Sequence, residues 1–371
     1  MSGGFFLDYS DRTGATTLGG GDFADVLHGG SGDDILEGGA GADHLDGGAG
    51  DNTASYEHSG SGVRVNLASG VNIGGDAQGD TLTDIDNLLG SGHADVLAGN
   101  AGDNVLAGGT GNDTLRGAGG QDTLLGGGDN DRLVITGAGA SLDGGDGKDT
   151  LFVQGSDYIE FSDDSFVSIE KVYVGDTSTV NFSDVTKGTI IISRAGEEGG
   201  AGLIGSQADD TIVGGKGANF LYGGDGNDLI KGTLDSRFSI LAGEGGDDII
   251  KAGPDLSLLV GGTGNDKLYG GAGANLFVFA DSFGADEVYK FKIGSDILDV
   301  ALLVQSFDDV VYHQIAGTKD TLMMFNGMDA ANTITLHNVD ASKLSEGDFN
   351  FVPTNGPFPL DHITFLATFV V

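Results

Sequence analysis

Cysteine and tryptophan are absent from the 371 residues, and proline occurs only four times. Without cysteine there is no disulfide, no thiolate metal site and no cysteine nucleophile. With so little proline, a chain holding 70 glycines is not a collagen. Basic residues are scarce too: 17 Lys and Arg stand against 56 Asp and Glu, a net charge of −39. Such a surface repels phosphates, which excludes nucleic acid and anionic membranes as partners. No apolar run approaches the ~18 residues of a transmembrane segment. The first basic residue is Arg12, and Gly3-Gly4-Phe5-Phe6-Leu7 is too short for a secretory signal core. Any export address is therefore expected elsewhere in the chain.

What is abundant is glycine, at several times its share in average proteins (roughly 7%). The hydrophobic share of 39% is too high for a disordered tail. A repetitive, turn-dense architecture remains. Aligning the glycines gives a nine-residue unit, Gly-Gly-x-Gly-x-Asp-x-U-x, where U is a large aliphatic residue. Full matches begin at Gly29 (GGSGDDILE), Gly38, Gly108 (GGTGNDTLR), Gly144, Gly223 and Gly261.

The repeats divide the chain into a first array at 1–55, a second at 90–152 and a third at 205–278. Irregular β-coil spacers are expected at 56–89 and 153–204, a capping segment at 279–352, and a tail at 353–371. The U positions are Leu27, Leu36, Leu45 and Ala54, then Leu97, Leu106, Leu115, Leu124, Leu133, Leu142 and Leu151. In the third array they are Ile212, Leu221, Ile230, Leu241, Ile250, Leu259, Leu268 and Phe277. One unit there, 232–242, is eleven residues long. Composition changes near 276: the last 96 residues hold 11 of the 20 phenylalanines but only 6 of the 70 glycines. That segment can build an aromatic core and cover the open sheet edge that a solenoid leaves at its end.

Each nonamer is a tight turn followed by a short strand whose U residue points inward. Two nonamers close a coil of 18 residues, so the fold expected is all-β: a right-handed parallel β-roll, or β-solenoid, with a C-terminal β-rich cap. Stacking then places residue i against i+18. In the second array Asp95, Asp113, Asp131 and Asp149 fall on one edge at that spacing, with Asn104, Asp122 and Ala140 opposite. In the third, Asp210, Asp228, Asp248 and Asp266 share an edge, facing Asn219, the long unit, Ser257 and Asn275. Asp25/Asp43 and Asp34/Asn52 repeat the pattern in the first array.

Carboxylates stacked at sheet spacing, about 4.8 Å, repel one another. A hard cation taking 6–8 oxygens resolves this, drawing on two carboxylates and the turn carbonyls that glycine exposes. The metal-binding residues expected are those aspartates with the turn glycines Gly30, Gly32, Gly39, Gly41, Gly109, Gly111, Gly145, Gly147, Gly224, Gly226, Gly262 and Gly264. About seven to ten Ca²⁺ ions are expected, one between successive coils of each row. Asn52, Asn104, Asn219 and Asn275 offer oxygen without charge, so their sites should be weak or empty, and Ala140 and Ser257 mark vacancies.

GGSGDDILE, GGTGNDTLR and their sister repeats resemble the RTX (repeats-in-toxin, haemolysin-type calcium-binding) family. The spacer SGVRVNLASG and the stretch GGAGANLFVFADSFGADEVYKFKIGSDILDV are similar to segments of such proteins as well. The resemblance implies a parallel β-roll, folding triggered by calcium, and export by a type I ABC transporter reading an uncleaved C-terminal signal. The protein is then secreted and extracellular. The signal is expected in the last residues, including Asp361 and Phe369-Val370-Val371.

Catalysis is not expected. There is no His-Glu-x-x-His for a zinc protease and no Gly-x-Ser-x-Gly elbow for a lipase. The seven histidines are scattered. The function expected is a non-catalytic adhesion, surface or matrix role. The alternatives are a module that binds or modifies a surface glycan or polysaccharide, or the RTX portion of a larger toxin or exoenzyme.

Overall fold

A computed structural model of the chain describes residues 3–155, 157–196, 199–233, 238–280 and 282–352. The tail at 353–371, where the export signal is expected, lies outside them. Strands dominate, and the only helical elements among the described residues are four single turns of 3₁₀ helix, such as Gly75–Ala77 and Glu346–Asp348. The chain divides into two compact units, Met1–Val180 and Asn181–Val371.

In the first unit one parallel sheet runs through Thr17–Gly21, Ile35–Gly39, Thr53–Ser55, Asn87–Leu89, Val105–Thr110, Thr123–Gly128, Ser141–Asp146 and Phe166–Val167. Its register advances by 18 where the nonamers are unbroken, as in Leu106↔Leu124↔Leu142. The other face is made by two sheets in succession. Phe6–Asp8, Val26–Gly30, His44–Gly48 and Thr81–Thr83 form the earlier one. Arg64–Asn66, Val96–Ala98, Thr114–Arg116, Arg132–Ile135, Thr150–Val153 and Lys171–Val174 belong to the later one.

The spacer explains the change of sheet. Ala54 pairs with Leu88 and Leu45 with Leu82, so each ladder steps over residues that the repeat does not supply. Within the skipped residues, Arg64–Asn66 and Val71–Ile73 pair antiparallel and start the later sheet. The spacer thus continues the solenoid as irregular β-coils and contributes strands to three sheets.

The second unit follows the same plan. One sheet stacks Ile190–Ser193, Thr211–Val213, Leu229–Lys231, Ile249–Lys251, Lys267–Tyr269 and Ala285–Tyr289. The other stacks Gly200–Ile204, Ala218–Asp225, Phe238–Gly245, Leu256–Thr263, Asn275–Val278 and Ile297–Asp299. The eleven-residue unit lengthens one step: Leu221 pairs with Leu241 and Ile230 with Ile250, before 18 returns at Leu241↔Leu259. Beyond the repeats, Thr333–Leu336 pairs parallel with Ala285–Tyr289, and the antiparallel strands Thr321–Phe325 and Val310–Gln314 finish that sheet. Phe279, Phe283, Phe291, Phe325 and Phe349 are buried in this region.

Every residue expected at a U position is buried, from Leu27 to Phe277. Strand alternation turns that one side chain inward while its two neighbours face out. The core is therefore one residue deep per strand. Burying a leucine contributes about 1.5–3 kcal/mol, and a coil of two nonamers has two U residues, with few further buried side chains such as Val134 and Ile240, to offset the ordering of its whole backbone. Something outside the core must hold the turns together.

Candidate metal centre

The turns are where polar groups are buried. Asp25, Asp34, Asp43, Asp95, Asp113, Asp122, Asp131, Asp149, Asp210, Asp228, Asp248 and Asp266 are all buried, although aspartate is normally a surface residue. The structure brings them into rows. Each carboxylate uses Oδ1 to accept the backbone N–H of its counterpart one coil earlier. Asp95 N donates to Asp113 at 2.7 Å, Asp113 N to Asp131 at 2.8 Å and Asp131 N to Asp149 at 2.7 Å. Asp210, Asp228, Asp248 and Asp266 repeat this at 2.7–2.8 Å, including the longer step from Asp228 to Asp248. Asp25 N donates to Asp43, Asp34 N to Asn52 and Asn104 N to Asp122 in the same manner.

The second oxygen has no such partner. Oδ2 of Asp34, Asp43, Asp113, Asp131, Asp149, Asp228, Asp248 and Asp266 is buried without a hydrogen bond. Leaving a charged acceptor unsatisfied costs more than the ~1–3 kcal/mol of a neutral group, and a cation beside it would relieve that cost. The surroundings supply the other ligands. A methyl group on Gly108 would overlap Asp113 Oδ2 and the carbonyl of Gly126, one coil on; Gly126 stands likewise between Asp131 Oδ2 and the carbonyl of Gly144. Carboxylate and carbonyl oxygens converge in the same way at Gly29, Gly144, Gly223 and Gly243, in space that only glycine leaves open. A hard, oxygen-seeking ion fits this donor set. Among the described residues no three acidic or histidine side chains are grouped so as to hold a metal ion by themselves, so backbone carbonyls must complete any coordination shell.

The carboxylates register their burial. Desolvation, reinforced by the like charges of their neighbours, pushes Asp113 and Asp228 up to about 7, Asp248 to about 8, and Asp131 and Asp266 to about 6. Burial raises Asp43, Asp122, Asp149 and Asp210 as well. Without a bound cation Asp248 stays largely protonated at neutral pH, and Asp113 and Asp228 are about half protonated.

Three aspartates at row starts differ. Asp95 Oδ2 accepts from the backbone N–H and hydroxyl of Ser91, and Asp210 Oδ2 from those of Ser206. Asp25 Oδ2 accepts from Gly21 N at 2.7 Å. Their carboxylates are already satisfied on the outer side of the row.

The turn glycines divide into two sets. Gly39, Gly109, Gly145, Gly224 and Gly262 have φ between 83° and 111°, and Gly111, Gly147, Gly226 and Gly264 lie between 116° and 146°. At Gly109 a side chain would be strained and would also strike the Ser91 carbonyl of the preceding coil. Gly30, Gly32 and Gly41 lack positive φ but are equally crowded by backbone or by the Asp43 carboxylate.

Four ligand-like residues escaped the nonamer frame: Asp80, Asp286, Glu170 and Asp296. Asp43 N donates to Asp80 at 2.8 Å, Asp266 N to Asp286 at 2.9 Å, Asp149 N to Glu170 at 2.7 Å and Asn275 N to Asp296 at 2.9 Å. Asp286 also has a buried, unpartnered Oδ2, and its burial raises it to about 9. The first glycines, such as Gly108 and Gly126, were missed as well. All four acidic residues stand two before an inward aliphatic, as in Asp80-Thr81-Leu82 and Asp286-Glu287-Val288. That shorter pattern was the available signal. On the opposite edge, Ser239 fills the place of the distorted unit and pairs with Asn219 and Ser257.

The family model described as the RTX calcium-binding nonapeptide repeat matches residues 19–54, 75–106, 98–133, 204–237 and 257–280. A comparison with curated proteins finds no match. Among solved structures, a subunit of the Azotobacter vinelandii mannuronan epimerase is 26% identical, covering 42% of this chain and 84% of its own, with a TM-score of 0.29. A second subunit of that enzyme is 24% identical over 39% of this chain and 95% of its own, with a TM-score of 0.26. An extracellular lipase from Serratia marcescens is 17% identical over 70% of this chain and 40% of its own, with a TM-score of 0.26.

Proposed function

Because this chain carries RTX calcium-binding nonapeptide repeats, we propose that it is a secreted, non-catalytic protein whose folding is switched on by calcium. The observation that carries the reading is the row of buried Oδ2 atoms without partners. Except at Asp43, Asp266 and Asp286, each faces a turn carbonyl across space only a glycine leaves free. Ca²⁺ there supplies the positive charge that both oxygens need, and Asp113, Asp131, Asp149, Asp228, Asp248 and Asp266 are the residues to hold it.

The physiology follows from linkage. An ion that binds only the folded state stabilises it by mass action. Where calcium is scarce, the net charge of −39 keeps the chain expanded, in a form that a type I exporter can thread. Outside, calcium reaches the range of extracellular modules, about 10⁻⁴–10⁻³ M, and the coils close. No helix among the described residues is long and apolar enough to cross a membrane. The folded protein then serves in adhesion or matrix association at the cell surface.

The test is far-UV circular dichroism during a calcium titration of the chelator-stripped protein, with Mg²⁺ as control. A cooperative gain of β-structure with calcium and little with Mg²⁺ is expected, since Mg²⁺ demands tighter octahedral geometry. Equal β-content after exhaustive chelation would overturn the reading.

A further inference from the structure

The edge opposite the aspartate row of the second unit solves the same electrostatic problem without an ion. At Asn219, which is fully buried, Nδ2 donates to the carbonyls of Gly215 at 2.9 Å and Gly217 at 3.0 Å. Its Oδ1 accepts from Gly215 N at 2.9 Å. Asn275 Nδ2 donates to the carbonyl of Gly273 at 3.0 Å and to Asp296 Oδ1 at 2.9 Å. An amide donor thus occupies the place where, on the aspartate edge, a carboxylate oxygen has no partner.

The last turn of this edge goes further. Lys292 Nζ donates to three successive turn carbonyls: Gly271 at 3.0 Å, Ala272 at 2.9 Å, and Gly273. The same ammonium lies 3.5 Å from Asp296 Oδ1, whose side chain is fully buried. Asp296 Oδ2 meanwhile accepts the Lys292 backbone N–H at 2.8 Å. Three backbone carbonyls and one carboxylate around a positive charge is the donor class that a calcium ion takes in a turn.

We propose that the Lys292 ammonium is a tethered cation filling a divalent-cation site made by the Gly271, Ala272 and Gly273 carbonyls and the Asp296 carboxylate. With the Asn219 and Asn275 amides, it frees this edge from the calcium requirement. The inference rests on the calcium reading of the opposite row and deepens it: the coils take up ions along one edge, while the other is closed by the chain's own donors. A lysine side chain delivers a single charge at no cost in free calcium, so this end of the unit is complete as soon as the coils stack.

The test is calcium stoichiometry by isothermal titration calorimetry on the full chain, wild type against Lys292→Met and Asn219→Asp. Lys292→Met keeps the apolar stem and removes the charge, so it should bind one ion more than wild type. Amide exchange at Gly271 and Asn275 should become calcium-dependent over a range in which wild type is already protected. Asn219→Asp turns the amide donor into a carboxylate facing the Gly215 and Gly217 carbonyls, and it too should gain one ion. It keeps the side-chain shape and tests the amide closure; if Lys292→Met does not fold, Lys292→Gln, which removes the charge but keeps a donor to the turn, decides the lysine. Wild-type stoichiometry and an unshifted calcium midpoint in the folded variants would overturn the tethered-cation assignment while leaving the calcium reading intact. A wild-type protein that takes up no calcium would remove both.

Discussion

Asp131 sits in mid-row, and its two oxygens do separable work. Oδ1 accepts the Asp113 N–H at 2.8 Å, while Oδ2 is buried with no partner. Asp131→Asn keeps the acceptor and removes the charge; its new amide can donate to the turn as Asn219 does. Asp131→Ala removes both and strands a buried N–H, at a cost of about 1–3 kcal/mol. Ions shared with Asp113 on one side and Asp149 on the other both depend on the charge. At a calcium concentration 100 times the dissociation constant, each ion stabilises by about 2.7 kcal/mol, so Asp131→Asn should lose about 5 kcal/mol there and Asp131→Ala about 1–3 kcal/mol more.

The two effects separate when calcium is lowered. The gap between wild type and Asp131→Asn should close, because the term being lost is the binding of the ions. The gap between the Asn and Ala variants should stay near 1–3 kcal/mol, about the worth of the lost N–H acceptor. Thermal unfolding over a calcium series measures both gaps, and calorimetry should show two fewer ions in each variant. A wild-type-to-Asn gap that does not change with calcium would refute the assignment of Oδ2 as a ligand.

Three further outcomes follow from the same geometry. Burial raises the folded-state values of Asp113, Asp131, Asp228, Asp248 and Asp266 to between about 6 and 8. Their contribution to the calcium-free fold is therefore complete below the unfolded carboxylate value, about 3.9, and is lost as pH rises through 6–8. Circular dichroism in chelator should accordingly show more β-structure near pH 4 than near pH 9. Gly126→Ala places a methyl between Asp131 Oδ2 and the Gly144 carbonyl, and should raise the calcium midpoint sharply. Gly60→Ala, with nothing within 4 Å, should leave it unchanged. Leu115→Ala, at a fully buried position, should cost about 2–5 kcal/mol at saturating calcium, read by denaturant unfolding.

The coil was legible because its period is written twice, in the glycines and in the inward aliphatics. Leu106↔Leu124↔Leu142 stacks as the spacing requires, and even the eleven-residue unit shifts the register where it falls. Asp80 and Asp286 were not legible because neither follows a Gly-Gly-x-Gly turn. Their links to the row span 37 and 20 residues, and only the folded register reveals them. The serines at 91 and 206 were hidden for another reason. A serine in place of the second glycine looks like decay of the repeat, yet its hydroxyl and N–H satisfy the first carboxylate of a row. Asparagine at a ligand position looked like a weakened site; its amide hydrogens make it a closed one, as Asn219 shows.

These details give each aspartate row a beginning and an end. The second row of the first unit opens at Asp95, closed on its outer side by Ser91, and finishes at Glu170, which accepts the Asp149 N–H. In the second unit the row opens at Asp210, closed by Ser206, and reaches Asp286 beyond the last full repeat. Between these ends every aspartate is hydrogen-bonded to the coil before it, and Asp113, Asp131, Asp149, Asp228 and Asp248 lie beside a carbonyl of the coil after. An ion bound at one step therefore fixes a carboxylate that the next step also uses. On the calcium reading proposed above, binding along a row is coupled through shared ligands. A core this thin cannot impose that coupling by itself, so on the same reading the carboxylates at the turns carry the cooperativity of folding.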